Sequence, residues 1–358
     1  MIVTEWAKNM LKVGVIGLGR MGMLHMMNCF KIDDVMVVAA ADSSKKALRK
    51  AKSAGVNMLY PDFHDLFNHS SNVDAVVISL PNFLHFECMK LALEAGLDVF
   101  VEKPLANTLK ECSEVVNLVE NSGRKLMVGH YFRFLSAVEK MKEKLADGII
   151  GNLEVATIEE VINGPFSHPR VPVPVSDWWF DPKKSGGGAL LDIGYHMLDL
   201  FRFFVGDSKV IFSCLDYKFN LPVEDSAIVV LQSRSSSTKG IVNVGWYQRT
   251  IFPKFNFRVI LHGAAGYLSS DSLVPKNLYL HAVKEGTKNL LKRISGNKIR
   301  PLSYTYYYEP YYTELVHFFD CIKNDLQPPV SAREAMNTCE LVQEAYRMGK
   351  NSVAGCDS

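Results

Sequence analysis

The sequence lacks long hydrophobic runs, an excess of charge of either sign and closely spaced cysteines. Its longest apolar stretches, such as residues 35–41 and 75–80, are far shorter than the roughly 20 residues that span a bilayer. Residues 1–10 contain no apolar core, so we expect no signal peptide. Because 40 Lys and Arg are balanced by 38 Asp and Glu, the composition argues against binding of nucleic acid through bulk positive charge.

The cysteine pattern bears on location and on metal binding. Seven cysteines are spread over 358 residues, and no two of them form a CxxC pair. An odd number without a short ligand spacing predicts neither a disulfide framework nor a zinc site. Reduced thiols are typical of cytoplasmic proteins. We therefore expect a cytoplasmic protein without a bound metal, and without a membrane or nucleic-acid partner.

The order of apolar runs divides the sequence into two domains. From about residue 12 to residue 129, short strands alternate with helical patterns, which predicts an α/β domain with a doubly wound parallel sheet over residues 1–133. Later strands follow one another without helices between them, which predicts an α+β domain with a mainly antiparallel open sheet over residues 134–358. We expect its strands at 153–162, 210–219, 225–232, 240–247, 256–261 and 277–283, its helices at 190–205, 311–323 and 331–350, and irregular loops at 163–187 and 284–310.

A glycine motif follows the first predicted strand. Gly17, Gly19 and Gly22 form a GxGxxG that opens a helix, as in a Rossmann dinucleotide-binding domain. The first glycine permits a tight turn, the second leaves space for a pyrophosphate, and the third allows close packing of helix and strand. Asp42 ends the second strand, 20 residues after Gly22 (42 − 22), where a carboxylate binds the ribose hydroxyls of NAD. The pattern predicts NAD binding, although the Ser and Lys side chains of residues 43–46 leave NADP open.

Three further segments carry candidate residues. Residues 79–85 (SLPNFLH) and 102–104 (EKP) follow predicted strands of the parallel sheet, where such a sheet presents its ligands, and residues 186–196 (GGGALLDIGYH) lie in the second domain. Together with the glycine motif, they resemble the Gfo/Idh/MocA family (glucose–fructose oxidoreductase, inositol dehydrogenase, rhizopine catabolism), over about residues 12–350. The resemblance implies an NAD(P)-dependent dehydrogenase or reductase of sugars, inositols or nucleotide sugars. It also implies a Rossmann domain, and a homo-oligomer formed through the sheet of the second domain.

The residues of these segments suit the same chemistry. Oxidation of an alcohol needs a base for the hydroxyl proton while hydride leaves to the nicotinamide. His196 fits that role, with Asp192 four residues earlier on the same helix face to fix its tautomer. Lys103 is placed to stabilise developing alkoxide charge. The family assigns catalytic Lys, Asp and His to these same positions; which of Lys103 and His196 is the final proton acceptor stays open, as does an ordinary bracing role for the Asp–His pair.

The resemblance and the chemistry together give the candidate residues. The predicted catalytic residues are Lys103, Asp192 and His196. The predicted cofactor-binding residues are Gly17, Gly19, Arg20, Met21, Gly22, Asp42, Ser43, Ser79, Pro81, Asn82, His85, Glu102 and Lys103. The predicted substrate-binding residues are Lys103, Arg133, Arg170, Trp178, Trp179, Asp192 and His196.

Several of these residues have an equally ordinary structural explanation. Asn82 suits a helix N-cap, His85 an exposed first turn, and Glu102 an internal hydrogen bond. Arg133 suits a salt bridge as well as a substrate contact. The tryptophans at 178 and 179 suit a sugar ring or burial in a proline-stiffened loop.

We therefore expect an NAD(P)-dependent oxidoreductase acting on a secondary alcohol or ketone of a carbohydrate-like substrate. Two alternatives remain open at this point. One is a glycosidase that works through an NAD-dependent redox step, and the other is a non-catalytic regulator that binds a dinucleotide. Retention of Lys103, Asp192 and His196 together argues against the regulator, because a sensor needs only the glycine turn.

Overall fold

The chain forms two compact units. The computed structural model describes residues 10–165, 176–247, 256–275, 277–295, 306 and 308–353. The first unit comprises Met1–Phe134 and Lys276–Met336, and the second comprises Leu135–Pro275 and Asn337–Ser358. Residues 276–336 therefore group with the first unit, whereas the sequence pattern predicted that they belong to a second domain over residues 134–358.

The first unit contains a six-stranded parallel sheet with the order β3-β2-β1-β4-β5-β6. Strands β1 to β5 alternate with helices, as the apolar pattern predicts, and the doubly wound α/β fold is confirmed. The strands are β1 (Leu11–Ile16), β2 (Val35–Ala41), β3 (Met58–Tyr60), β4 (Ala75–Ile78), β5 (Asp98–Glu102) and β6 (Leu126–Gly129). The helices between them are α1 (Arg20–Cys29), α2 (Lys45–Ser53), α3 (Phe63–Asn68), α4 (His85–Glu94) and α5 (Leu109–Ser122).

Burial on both faces explains the continuous apolar strands of this sheet. All four residues of β4 are fully buried, as strands covered by helices on both sides require. The start of α5 is fixed by its sequence, because Thr108 and Glu111 cap each other's backbone in a capping box.

Helix α10 (Glu309–Lys323) explains why a late part of the chain joins the first unit. Its apolar face packs against β5 and β6 of the parallel sheet. The rings of Phe318 and Phe100 lie 5.8 Å apart, and both are fully buried. A long-range contact of this kind leaves no local trace in the sequence.

The second unit contains a six-stranded mixed sheet with the order β12-β11-β7-β10-β9-β8. Every neighbouring pair is antiparallel except β7 and β10, which are parallel, so the predicted mainly antiparallel sheet is confirmed. Buried side chains of one face pack against helix α8 (Tyr195–Val205). The strands are β7 (Leu153–Val161), β8 (Ser208–Asp216), β9 (Ser226–Ser233), β10 (Lys239–Gly245), β11 (Asn256–Gly263) and β12 (Gly266–Ser269). The other helices of the chain are α6 (Ser136–Ala146), α7 (Pro182–Ser185), α9 (Leu278–Ile294) and α11 (Ala332–Val353).

The opposite face of this sheet carries large exposed apolar side chains. The strand register places Phe212, Val230 and Ile241 in one row across β8, β9 and β10. Phe212 is 49% exposed, Ile241 is 41% exposed, and Ile228 in the adjacent row is 46% exposed. We call this surface the open sheet face.

Two sequence expectations about local structure were wrong. A helix, α9, occupies Leu278–Ile294, where a strand over 277–283 and a loop from 284 were expected. The side chain of Asn277 accepts a hydrogen bond from the amide of Leu280 at 3.1 Å, which starts a helix rather than a strand. The short apolar run before Lys284 suits either structure, because a few residues do not distinguish a period of 2 from one of 3.6.

The helix expected over 190–205 is also divided. Leu190–Gly194 forms a π-helix, and α8 begins only at Tyr195. Over the described ranges, no helix is both long and apolar enough to cross a bilayer.

Candidate active site

The glycine turn between β1 and α1 is built by contacts that leave no room for side chains. Gly17 has φ +82°, a conformation that favours glycine, and a Cβ there would lie 2.5 Å from the carbonyl oxygen of Ser79. A Cβ on Gly22 would lie 1.6 Å from the carbonyl oxygen of Gly17. Both glycines are therefore required by the fold itself.

Gly19 differs from the other two glycines, because a Cβ at this position would meet no described atom within 4 Å. Gly19 is the N-cap of α1, and no side chain among the described residues caps this helix end. The helix N-terminus thus presents its amide groups and partial positive charge beside open space. Arg20, Met21 and Gly22 supply those first amides, so this end of the helix fits a pyrophosphate.

Asp42, just after β2, is held against the same turn. Its Oδ2 accepts a hydrogen bond from the amide of Leu18 at 2.6 Å, and its Oδ1 accepts one from the amide of Ser44 at 2.7 Å. The carboxylate is partly buried, whereas Ser43 is exposed. A carboxylate fixed beside a pyrophosphate site is the arrangement that binds ribose hydroxyls.

The segment after β4 lies next to the glycine turn. The amide of Ser79 donates to the carbonyl oxygen of Ile16 at 2.8 Å, which continues the parallel ladder. Its hydroxyl is buried and has no hydrogen-bond partner among the described residues. Pro81 and Asn82 then open a single 3₁₀ turn over Asn82–Leu84, and both are partly exposed. Their position beside the turn is compatible with the predicted cofactor contacts.

His85 is fully buried, not exposed on a first helical turn as the structural alternative for this residue had it. Its Nδ1 lies 2.8 Å from the carbonyl oxygen of Pro104, and its Nε2 lies 2.9 Å from that of Leu80. Burial lowers the pKa of His85, and the two carbonyl partners act in the opposite direction. Both ring nitrogens face backbone, so His85 ties the segment after β4 to the segment that carries Lys103.

Glu102 and Lys103 follow at the end of β5. Glu102 Oε1 accepts a hydrogen bond from Nε2 of His25 on α1 at 2.7 Å, the internal partner that the sequence left open. Burial raises the pKa of Glu102, but this hydrogen bond and nearby positive charge outweigh it and lower the pKa below its usual value. Lys103 is partly exposed, and the Lys103–Pro104 peptide bond is cis.

Arg133 lies in a buried 3₁₀ turn after β6. One of its terminal nitrogens lies 3.4 Å from Oε2 of Glu334, and the other lies 3.5 Å from the carbonyl oxygen of Pro329. The structure thus contains a salt bridge at Arg133, the predicted alternative to a substrate contact.

In the second unit, the glycine triplet packs tightly against a buried carboxylate. A Cβ on Gly188 would lie 1.9 Å from the carbonyl oxygen of Glu224, and one on Gly187 would lie 1.9 Å from the hydroxyl of Tyr346. Glu224 Oε1 accepts hydrogen bonds from the amides of Gly188 at 2.9 Å and Leu190 at 3.0 Å, and from the hydroxyl of Tyr346 at 2.7 Å. Burial raises the pKa of Glu224, and these donors oppose the shift.

Asp192 and His196 lie on either side of the junction between the π-helix and α8. Asp192 Oδ2 accepts a hydrogen bond from Nε1 of Trp246 at 3.2 Å. His196 is buried. Single-turn π-helices are frequent at functional sites, which agrees with the expected role of this segment.

The aromatic pair ahead of the glycine triplet lies in a 3₁₀ turn over Asp177–Phe180. The ring centroids of Trp178 and Trp179 are 5.4 Å apart, and both side chains are partly exposed. They therefore retain surface for a ligand ring. Arg170 lies outside the described residues.

Sequence reasoning missed three residues that bind the predicted segments, namely Glu224, Trp246 and His25. Each is hydrogen-bonded to a residue that is distant in the sequence, so spacing gave no signal. One local signal for His25 exists, because it follows Gly22 by three residues (25 − 22). This spacing puts His25 almost one turn further along α1, near the same helix face as the glycine turn.

Comparisons with known proteins identify the family. A model described as "Oxidoreductase family, NAD-binding Rossmann fold" (GFO_IDH_MocA) matches residues 11–130, and the GFO/IDH/MocA C-terminal domain matches residues 138–269. The chain belongs to the Gfo/Idh/MocA family of oxidoreductases, and its residues 11–130 form the NAD-binding Rossmann domain of that family.

Individual relatives cover nearly the whole chain. The myo-inositol 2-dehydrogenase of Thermotoga maritima is 27% identical over 331 residues, which are 90% of this chain and 92% of that protein. A probable dehydrogenase from Thermotoga maritima superposes with a TM-score of 0.77 at 25% identity, over 96% of this chain and 97% of that one. The scyllo-inositol dehydrogenase of Lactobacillus casei, solved with NAD(H) and scyllo-inositol, gives a TM-score of 0.78 at 21% identity, over 96% and 98%. This last similarity shows the fold.

Proposed function

We propose that this oxidoreductase transfers hydride between NAD(H) and a secondary alcohol or ketone of an inositol or sugar. The observation that carries the proposal is the presence of Lys103, Asp192 and His196 in a chain that also has the open, uncapped helix end at Gly19. A dinucleotide-binding regulator needs the glycine turn but no acid–base set.

Each catalytic side chain has a separate task. Bound NAD⁺ supplies the hydride acceptor. His196 takes the hydroxyl proton of the substrate, and Asp192 fixes the tautomer of the imidazole and favours its protonated form. Lys103 donates a hydrogen bond to the substrate oxygen and stabilises its developing negative charge. In the reducing direction, the same groups return the proton.

The position of Asp42 supports a preference for NAD(H) over NADP(H). Its two carboxylate oxygens are already fixed by backbone amides at the edge of the glycine turn. A 2′-phosphate at this place would meet a like charge at short range, which is costly where water is partly excluded. Steady-state kinetics with both cofactors tests the assignment, and equal or better kcat/KM with NADP(H) would contradict it.

The substrate class rests on relatives and on the aromatic pair. The Thermotoga maritima relative is a myo-inositol 2-dehydrogenase. Trp178 and Trp179 offer partly exposed ring faces, and aromatic faces pack well on sugar-type rings.

A thermal-shift screen in saturating NAD tests the substrate class, because a bound ligand stabilises the fold according to its occupancy. We expect stabilisation by inositols or free sugars, followed by NADH formation with the same compounds. Stabilisation by nucleotide sugars alone would redirect the assignment. Stabilisation by none of these compounds would contradict the carbohydrate class. Release of a glycoside's leaving group without net NADH would favour the redox-step glycosidase.

We also propose that the protein forms a homo-oligomer through the open sheet face. Large exposed apolar patches on soluble proteins mark interaction surfaces, and Phe212, Ile228 and Ile241 form such a patch on neighbouring strands. Light scattering tests this: Ile241→Lys is expected to lower the molecular mass in solution, whereas Met27→Lys, an exposed change on α1, is not. A monomeric wild-type protein would overturn the proposal.

The proposed location is the cytoplasm. Six cysteines lie in the described ranges and are free thiols, as reducing compartments favour. Cell fractionation with an antibody to the native protein tests this location.

A further inference from the structure

Three titratable side chains meet in the interior of the first unit, outside the proposed acid–base set. They are His25 on α1, Glu102 at the end of β5 and Glu314 on α10. One nitrogen or oxygen atom from each lies within 4.8 Å of the other two. His25 and Glu314 are fully buried. The mechanism above gives neither of these two residues a task.

Glu314 is the unusual member of this cluster. Neither of its carboxylate oxygens has a hydrogen-bond partner among the described residues. Part of the surroundings is aromatic, since the ring of His25 packs edge-on against Phe100 at 5.2 Å and Tyr311 at 6.1 Å. A buried carboxylate without a partner is strongly unfavourable, and a second carboxylate beside it adds repulsion.

The surrounding charges decide which of the two carboxyl groups is ionised. Burial, and then the negative charge of Glu102, raise the pKa of Glu314 well above its usual value. Glu102 faces His25 from α1, His85 from α4 and the adjacent Lys103, all of which lower its pKa. Two close carboxylates with such different surroundings titrate far apart, as in other carboxyl pairs that share one proton.

We propose that Glu314 is a carboxylic acid at neutral pH that donates a hydrogen bond to ionised Glu102, and so acts as a positioning residue for the segment that carries Lys103. The terminal torsion of a glutamate side chain has a broad energy minimum, so the carboxyl group turns toward Glu102 at little cost. Glu102 is then held from two sides, by His25 and by Glu314. The effect on Lys103 rests on the proposed function, whereas the protonation of Glu314 does not.

A divalent cation is the competing occupant, because imidazole and carboxylates are also metal ligands. The hydrogen bond of 2.7 Å between His25 Nε2 and Glu102 Oε1 favours the proton. An ionised carboxylate only accepts hydrogen bonds, so Nε2 of His25 carries the proton in this pair and has no lone pair left for a metal. A cation also requires both carboxylates to be ionised, which the complete burial of Glu314 opposes.

Two substitutions of Glu314 test whether a proton or a divalent cation occupies this cluster, and whether Glu314 positions Glu102. Glu314→Gln keeps the size and a hydrogen-bond donor without an acidic proton, whereas Glu314→Asp keeps the acid but is shorter by one methylene group. The matched control is Asp320→Asn, the same carboxylate-to-amide change at an exposed position of α10.

Infrared difference spectra at neutral pH read the proton directly. The wild type is expected to show the carbonyl band of a protonated carboxyl group, with a shift in heavy water, and Glu314→Gln is expected to remove it. Asp320→Asn is expected to retain it. Absence of a band sensitive to Glu314 would overturn the proposal, and so would a stoichiometric metal in the purified protein that Glu314→Gln removes.

Kinetics then tests the positioning role. Glu314→Asp is expected to raise KM for NAD(H) about 2- to 10-fold, the range of one lost hydrogen bond, because its side chain is too short to reach Glu102. Glu314→Gln is expected to keep KM near the wild-type value, because its amide still donates to Glu102. An equal change in both variants would overturn the positioning role. If the chain shows no dehydrogenase activity at all, the infrared result still stands, so failure of the proposed function is recognised separately.

Discussion

The contrast between Gly19 and Gly22 allows stability and cofactor binding to be changed independently. In Gly22→Ala, the new methyl group would lie 1.6 Å from the carbonyl oxygen of Gly17, whereas real Cβ contacts essentially never fall below 3.0 Å. Backbone must therefore move by about 1.4 Å (3.0 − 1.6) at a turn that is also fixed to β4. Overpacking in tight sites costs roughly 1–3 kcal/mol and occasionally more, and we expect the upper end of that range.

Gly19→Ala is the matched variant. Its Cβ would meet no described atom within 4 Å, and the backbone at φ −64° accepts any residue. Its stability is expected to stay within about 1 kcal/mol of the wild type, the typical difference between good and poor N-cap residues. The methyl group would, however, project into the space that fits the pyrophosphate, so NADH affinity is expected to fall at least about tenfold, or 1.4 kcal/mol.

Two measurements check this pair. Thermal unfolding is expected to place Gly22→Ala roughly 6–12 °C below the wild type, from about 2–4 °C per kcal/mol for units of this size. Titration of NADH fluorescence is expected to show weak binding for Gly19→Ala, whose melting temperature is expected to stay within about 4 °C of the wild type. Wild-type stability of Gly22→Ala, or wild-type NADH affinity of Gly19→Ala, would refute the assignment of the two glycines.

Three further predictions concern the catalytic and buried polar groups. Lys103→Met and His196→Ala are each expected to reduce kcat by about 100- to 10,000-fold in rapid-kinetic assays. The loss of kcat in the double variant is expected to be much smaller than the product of the two single losses, because the effects of groups that act as a unit are not additive. A loss equal to that product would show that the two residues act independently. Trp246→Phe, which removes the donor to Asp192 but keeps an aromatic ring, is expected to lower kcat about tenfold without changing KM for NAD(H); an unchanged kcat would exclude a positioning role. The pKa of Glu314 is raised in the folded state, so above the unfolded-state pKa of about 4.5 the folded protein binds more protons than the unfolded chain. The free energy of unfolding therefore falls as the pH rises from about 4.5 to the folded-state pKa, by up to about 1.4 kcal/mol per pH unit. Chemical denaturation across pH should show that Glu314→Gln removes this slope, and an unchanged slope would contradict the assignment.

Local pattern was sufficient to predict the parallel sheet and the glycine turn. The run from Leu11 to Gly22 contains strand, turn and helix in sequence, and the spacing to Asp42 follows from the size of one βαβ step. The capping box at Thr108 was readable for the same reason, since both partners lie within one helical turn.

The remaining structure depends on contacts that are distant in sequence. Glu224 binds the amide of Gly188, 36 residues away, and Trp246 binds Asp192, 54 residues away. Buried polar groups need hydrogen-bond partners, but local spacing does not indicate which distant residue supplies the partner. Helix α9 was wrongly expected to be a strand and a loop because its first apolar run is short, and Leu280 and Val283 in this run are exposed, so they form no buried stripe of helical period.

The π-helix at Leu190–Gly194 makes the length of this segment as important as its composition. A π turn holds one residue more than an α turn, so it corresponds to a single-residue insertion in a helix. Deletion of one residue here would restore an ordinary α-helix and rotate everything on its N-terminal side by about 100° relative to His196. The glycine triplet could not follow, because Gly188 is bound to Glu224. We therefore expect this segment to tolerate substitutions more readily than insertions or deletions, because a change of length alters the direction of every side chain before His196.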